Sequence, residues 1–141
     1  RQAEKLFRDQ LEYVEDPVAT IEQLHQVRAE LPTPVATDAL TPDAESIKQV
    51  ISMGVVNNII LKPLLLGGID SVIALSNVAR SAGITSVISS TFDGPAGLTS
   101  WCHLASAVGP NTTHGLGTAG LIDDKRMRPL IPRNGVIELS S

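Results

Sequence analysis

The sequence predicts an α/β fold: a parallel (β/α) barrel of the TIM type, present as a partial barrel of about five βα units. Three observations predict it. Short apolar runs alternate with stretches of helical periodicity. The polar residues that end those runs stand at positions 15, 38, 62, 89 and 114, separated by 23, 24, 27 and 25 residues. A strand, a helix and two short loops need about that length. Aromatic residues make up only 3% of the chain, against 43% hydrophobic residues overall. Aliphatic, β-branched cores suit parallel sheets covered by helices. No Gly-rich phosphate fingerprint follows any of the strands. Gly115-Leu116-Gly117 lacks the rest of that motif, so the even spacing favours a barrel over an open doubly wound sheet.

Taken in order, Ala3, Leu6, Phe7 and Leu11 have the spacing of a first helix. Tyr13-Val14 is a short strand, ended by Glu15-Asp16-Pro17. The next helix is expected over 20–31, with Ile21, Leu24, Val27 and Leu31 on one face, and Pro32-Thr33-Pro34 breaks it. Val35-Ala36-Thr37 is a strand ending in Asp38. Thr41 as N-cap and Pro42 at the first helical position open a helix to about Met53, with Gly54 as its C-cap. A strand over 56–61 leads to Lys62-Pro63, and Gly67-Gly68 leads into a helix over 70–82 closed by Gly83. Ser86–Ile88 is a strand ending in Ser89-Ser90, and Pro95-Ala96 enters a helix ending near Val108. A last short strand is expected within 113–122, and Asn134-Gly135 before Val136–Leu139 suggests a hairpin. The expected organisation is therefore a C-terminal barrel portion over 1–122 and a tail over 123–141 with a short hairpin.

The composition narrows the function. With 11 Lys+Arg against 15 Asp+Glu, the net charge of −4 argues against a nucleic-acid or anionic-membrane surface. The apolar runs are too short to cross a bilayer, and Arg1–Arg8 lacks the apolar stretch of a signal peptide. A single cysteine, Cys102, excludes an internal disulfide framework and a CxxC metal site.

In parallel α/β proteins ligands bind at the carboxyl ends of the strands. Here those ends carry Glu15, Asp38, Lys62 and Ser89-Ser90. Two carboxylates from adjacent strands repel each other unless a cation intervenes, and all-oxygen ligation favours Mg²⁺. A lysine facing the same opening can act as a general base on a C–H bond or as a cation against a developing oxyanion. The chemistry this suggests is proton abstraction next to a carboxylate. Elsewhere, His25 reads as a solvated helix residue, His103 as a partly buried packing residue and Trp101 as helix packing.

Tyr13-Val14-Glu15-Asp16-Pro17, Pro34-Val35-Ala36-Thr37-Asp38, Ile60-Leu61-Lys62-Pro63 with Gly67-Gly68-Ile69, and Val87-Ile88-Ser89-Ser90 together resemble the enolase superfamily. The likeness is greatest to the o-succinylbenzoate synthase branch of its muconate-lactonizing subgroup, whose last barrel strand His114-Gly115-Leu116-Gly117-Thr118 resembles. The resemblance implies that Glu15 and Asp38 are the second and third ligands of Mg²⁺, or of Mn²⁺ in its place. It implies that Lys62 is a catalytic lysine stabilising an enediolate, while an opposite lysine serves as base and then acid. Ser89, Ser90, Gly115 and His114 would line the substrate. The implied reaction is syn-dehydration of a cyclohexadiene carboxylate to 2-succinylbenzoate, in menaquinone or phylloquinone biosynthesis.

Several parts of the family pattern are absent: the Lys-x-Lys motif, the first metal-binding Asp and the N-terminal capping domain, all expected upstream of Arg1. Ala39 stands where an acidic residue usually follows the third ligand, and Asp93-Gly94-Pro95 replaces a Glu-Ser-containing stretch. The expected partners are thus a small carboxylate substrate and the missing N-terminal part of the same barrel, with no nucleic acid and no membrane. The expected compartment is the cytoplasm, or the plastid if the source is a photosynthetic eukaryote. The rival readings are an N-acylamino-acid racemase or dipeptide epimerase on the same scaffold, and a non-catalytic degenerate or fusion-derived barrel segment.

Overall fold

A computed structural model of the chain describes residues 11–139. The helix expected over 3–11 falls outside them, apart from Leu11. Among the described residues four strands alternate with four helices: β1 (Val14–Glu15), α1 (Ile21–Arg28), β2 (Val35–Thr37), α2 (Ala44–Met53), β3 (Asn58–Leu61), α3 (Ile69–Ser81), β4 (Thr85–Ile88) and α4 (Pro95–Val108). The strands form one parallel sheet in the sequence order β1-β2-β3-β4, which is the arrangement of successive βα units. Two 3₁₀ turns follow, Gly117–Leu121 and Lys125–Leu130. No helix among the described residues is long and apolar enough to cross a membrane.

The chain forms two compact units. One comprises the described residues up to Ile60 together with Leu75–Ser86; the other comprises Leu61–Ala74 and the described residues from Val87 on. In the first, the registers Val14↔Val35 and Glu15↔Ala36, then Ala36↔Asn58 and Thr37↔Ile59, fix three strands. Its core is aliphatic: Leu24, Val35, Ile47, Val50 and Ile59 are all at most 1% exposed. Thr20 caps α1, its hydroxyl accepting from the Gln23 N–H. The start of α2 differs from the sequence expectation. Asp43, not Thr41, is the N-cap, because Asp43 and Ser46 satisfy each other's backbone N–H groups in a capping box. Thr41 is buried instead, donating to Thr37 Oγ1 and lying beside the Asp38 carbonyl. Gly54 ends α2 in the left-handed conformation, φ +62°.

In the second unit α4 runs between the expected boundaries, Pro95 at its first position and Gly109 as C-cap. Leu98, Trp101, Cys102, Leu104 and Ala105 are its buried face, with Ile88 and Met127 fully enclosed. His103 is exposed on α4, not partly buried, since the buried face falls on its neighbours 101, 102, 104 and 105. His25, in the first unit, is exposed as the sequence suggested. The strand expected within 113–122 is reduced to one parallel bridge, Ser89↔Gly115, before the chain turns into 3₁₀ geometry. The expected hairpin is likewise a single antiparallel bridge, Arg133↔Val136, closed by Asn134 (φ +51°) and Gly135 (φ +79°). Two successive positive φ values are what a tight type I′ turn requires, and Asn-Gly supplies them.

Candidate active site

The strand ends carry the polar residues the sequence singles out, and each unit builds its own end. In the first unit Glu15 closes β1, and its backbone is in register with Ala36. Asp38 directly follows the last residue of β2, in the bend that ends the strand. Glu15 is exposed and Asp38 half-buried. Burial, with the Glu15 and Glu12 carboxylates beside it, pushes the Tyr13 phenol above its usual range, as expected where negative charge gathers.

Between Glu15 and Asp38 the sequence reading missed a residue. Bonds from Val14 N–H to Pro34 O and from Asp16 N–H to Ala36 O set the phase of the β1–β2 ladder. A ladder in that phase would next join Asp38 N–H to the Asp16 carbonyl. Asp16 instead has φ +40°, and its own carboxylate accepts from Asp38 N–H at 3.1 Å and from Ala39 N–H at 2.7 Å. The local signal for this was an aspartate just before a proline, since Asp tolerates left-handed backbone and bonds nearby amides. Asp16 thereby fixes the backbone that presents Asp38, and its charge is committed to amides.

In the second unit Lys62 follows β3 and is half-buried. Ser89 N–H donates to the Leu61 carbonyl at 2.9 Å, which sets Ser89 opposite Lys62 in the parallel register. Pro63 has no N–H to continue the ladder, so pairing stops at this rung. On its other side Ser89 is bridged to Gly115. Lys62, Ser89 and Gly115 therefore form one row across adjacent strand ends, on one face. Side chains meet there: a Cβ at position 115 would stand 2.8 Å from Ser89 Oγ and 3.1 Å from Ser89 Cβ. A side chain at 115 fits only if Ser89 shifts.

Ser90, one residue on, is buried, and its hydroxyl pairs with Thr118 Oγ1 at 2.7 Å. Asp93 is buried as well, accepting from Thr91 N–H (2.8 Å) and Thr91 Oγ1 (3.2 Å). Trp101 packs on α4, with its indole N–H buried and without a partner among the described residues. His114 belongs to the backbone: Ile88 N–H donates to its Nδ1 and its Nε2 faces the Gly109 carbonyl.

A groove of about 800 Å³ runs between the C-terminal turns of α4, the loop to Gly117 and residues 132–139. It takes in His114 but none of Lys62, Ser89 or Ser90, so the volume lies away from the polar row. Cys102 lines it, its thiol pushed up by burial, which keeps it protonated and unreactive at neutral pH.

The donor set bears on whether Mg²⁺ fits. Glu15 and Asp38 supply the hard oxygens that Mg²⁺ prefers. No group of three or more His, Cys, Asp or Glu among the described residues could hold a metal ion. The donor type fits and the number is incomplete.

Consecutive parallel βα units with polar residues at their carboxyl ends define a (β/α)-barrel type of enzyme scaffold. The whole chain, residues 1–141, matches the enolase C-terminal domain-like family, and it belongs to that family. It is 36% identical over 129 residues to an o-succinylbenzoate synthase of Mycobacterium ulcerans, covering 90% of this chain and 38% of that protein. Among solved structures it is similar to a dipeptide epimerase from Enterococcus faecalis (TM-score 0.76, 26% identity, 87% of this chain and 37% of the other). It is also similar to an enolase from Gibberella zeae complexed with magnesium, formate and sulfate (TM-score 0.71, 25% identity, 81% and 26%). The chain thus spans about two fifths of the length of the curated relatives it matches.

Proposed function

We propose that this chain forms the later βα units of a Mg²⁺-dependent carbon–oxygen lyase of the o-succinylbenzoate synthase kind. The observation that carries the reading is the row Lys62–Ser89–Gly115: a lysine, a serine and a glycine in register across adjacent strand ends. Membership of the enolase family and the likeness to a named synthase support it.

In this reading Glu15 and Asp38 hold the cation together with ligands outside the chain. When bound, the cation stabilises negative charge on the substrate carboxylate. The family resemblance gives Lys62 the role of a cation against a developing enediolate, with Ser89 and Ser90 bordering the substrate's carboxylate end. The C–H proton next to the carboxylate passes to the family's opposite lysine, which lies outside this chain. The electron pair left behind forms the new C=C bond as the C–O bond breaks, and that lysine's proton leaves with the hydroxyl as water. The pocket is completed by the upstream barrel strands and capping domain, so the 141 residues alone are expected to be inactive.

The test is turnover of the cyclohexadiene carboxylate with Mg²⁺ by the full-length protein, by this chain alone and by full-length Lys62→Ala. The expected result is activity only in the first and a drop of about 10³-fold or more for Lys62→Ala. Full activity from the short chain, or an unaffected Lys62→Ala enzyme, overturns the assignment. Epimerisation of dipeptides without dehydration transfers the site to the epimerase reading, which the Enterococcus relative favours.

A further inference from the structure

His114 lies where the chain returns from α4 to the sheet. Gly115 N–H donates to the Ile88 carbonyl at 2.8 Å, and Ser90 N–H donates to the Gly115 carbonyl at 3.0 Å. A parallel ladder in that phase would next join Ile88 N–H to the carbonyl of Thr113. Ile88 N–H donates instead to His114 Nδ1, at 3.0 Å. An amide N–H can only donate, so Nδ1 carries no proton. The second ring nitrogen, Nε2, lies 3.0 Å from the Gly109 carbonyl. A carbonyl can only accept, so Nε2 carries the proton. The two contacts select a single neutral tautomer. The chain also closes tightly at the far end of the ring. A Cβ on Gly109 would stand 2.9 Å from Thr112 Oγ1 and 3.5 Å from His114 Cε1.

We propose that His114 is a positioning residue: its imidazole replaces one rung of the sheet, spans from Ile88 to the C-cap of α4, and fixes Ser89 and Gly115 in their row. That the row serves a substrate rests on the function proposed above; the brace does not. Three substitutions separate the two bonds. Asn presents Oδ1 where Nδ1 stood and falls short of Gly109. Gln reaches toward Gly109 with its amide N–H. Phe keeps the ring's bulk and makes neither bond.

The experiment uses the full-length protein, labelled with ¹⁵N-histidine and followed by amide hydrogen exchange near neutral pH. The expected tautomer at His114 has the proton on Nε2. His114→Phe is expected to speed exchange at the Ile88 amide about tenfold, the worth of one hydrogen bond, and His114→Asn to restore its protection where His114→Gln does not. In turnover, His114→Phe is expected to raise KM more than it lowers kcat, and Asn to recover most of the difference. A proton on Nδ1, or equal exchange at Ile88 in the wild type and the Phe variant, overturns the brace. If His114→Phe does not fold, the wild-type tautomer and the Asn–Gln pair still decide. A protein with no dehydratase activity refutes the proposed function, while the tautomer and exchange results judge the brace on their own.

Discussion

The two units finish their strands with side chains of opposite character. At the end of β1 and β2 the substitute for a missing rung is a carboxylate: Asp16 takes the Asp38 and Ala39 amides. At the end of β4 it is a neutral ring: His114 takes the Ile88 amide. A third case lies at the start of β2, where Asn57 Oδ1 accepts from Val35 N–H at 3.1 Å while Asn57 N–H returns to Val35 O. The reason is common to all three. Strands of two to four residues hold few ladder bonds, and a side chain that accepts from a strand-end amide supplies the hydrogen bond the ladder does not. The difference lies in what the substitute leaves behind. The Asp16 carboxylate adds charge where Glu15 and Asp38 already stand. The imidazole adds none to the row of Lys62.

Four substitutions or measurements would break or sharpen this contrast. The largest effect is expected at Gly115→Ala, where the new methyl must displace Ser89. A loss of about 1–3 kcal/mol in denaturant melts follows from overpacking, partly recovered by adding Ser89→Gly. If Gly115→Ala is neutral, the close approach of the two residues is not what selects glycine. Next is Asp16→Ala, which removes the acceptor of the half-buried Asp38 amide and the exposed Ala39 amide and should cost about 1 kcal/mol; Asp16→Asn, with one oxygen left to accept, should cost less. Equal losses for Ala and Asn would show that charge, not hydrogen bonding, is what matters at that strand end.

Gly54→Ala separates conformation from contact. Nothing lies within 4 Å of a Cβ there, so only the positive φ is strained. Its expected cost is about 1 kcal/mol, below that of Gly115→Ala. The smallest effect concerns acid. The Ser46 amide and hydroxyl hold Asp43 below the usual carboxylate range, as the Arg126 side chain does for Asp124. A depressed carboxylate stabilises the fold above its unfolded pKa and loses that contribution as pH falls through the folded one. Melts compared at pH 5 and below about pH 4 should show a modest acid loss, reduced in Asp43→Asn.

Much of this architecture was readable from the sequence because punctuation residues carry their geometry with them. Pro95 and Gly109 bracket α4, and Gly54 ends α2, where the chemistry of proline and glycine requires. The start of α2 was misread because two caps compete within three residues, and a reciprocal Asp43–Ser46 pair outweighs a lone Thr41 hydroxyl. Lys62 and Ser89 were legible from the βα repeat, which counts off strand ends; the repeat put the last end at His114, whereas the residue bridged to Ser89 is Gly115. The work of Asp16 and His114 was not. A side chain that replaces a backbone partner leaves no period in the sequence; it shows only once the ladder's phase is known. Thr118 escaped for a related reason: its hydroxyl meets Ser90 from a turn that was expected to be a strand.

The closeness of Ser89 to position 115 constrains how this strand end can be varied. A mutational library that varies residue 115 would mostly sample unstable proteins, because no side chain can enter there unless its neighbour first gives way. Variation has to begin at Ser89, whose side chain occupies the space that a residue at 115 would need.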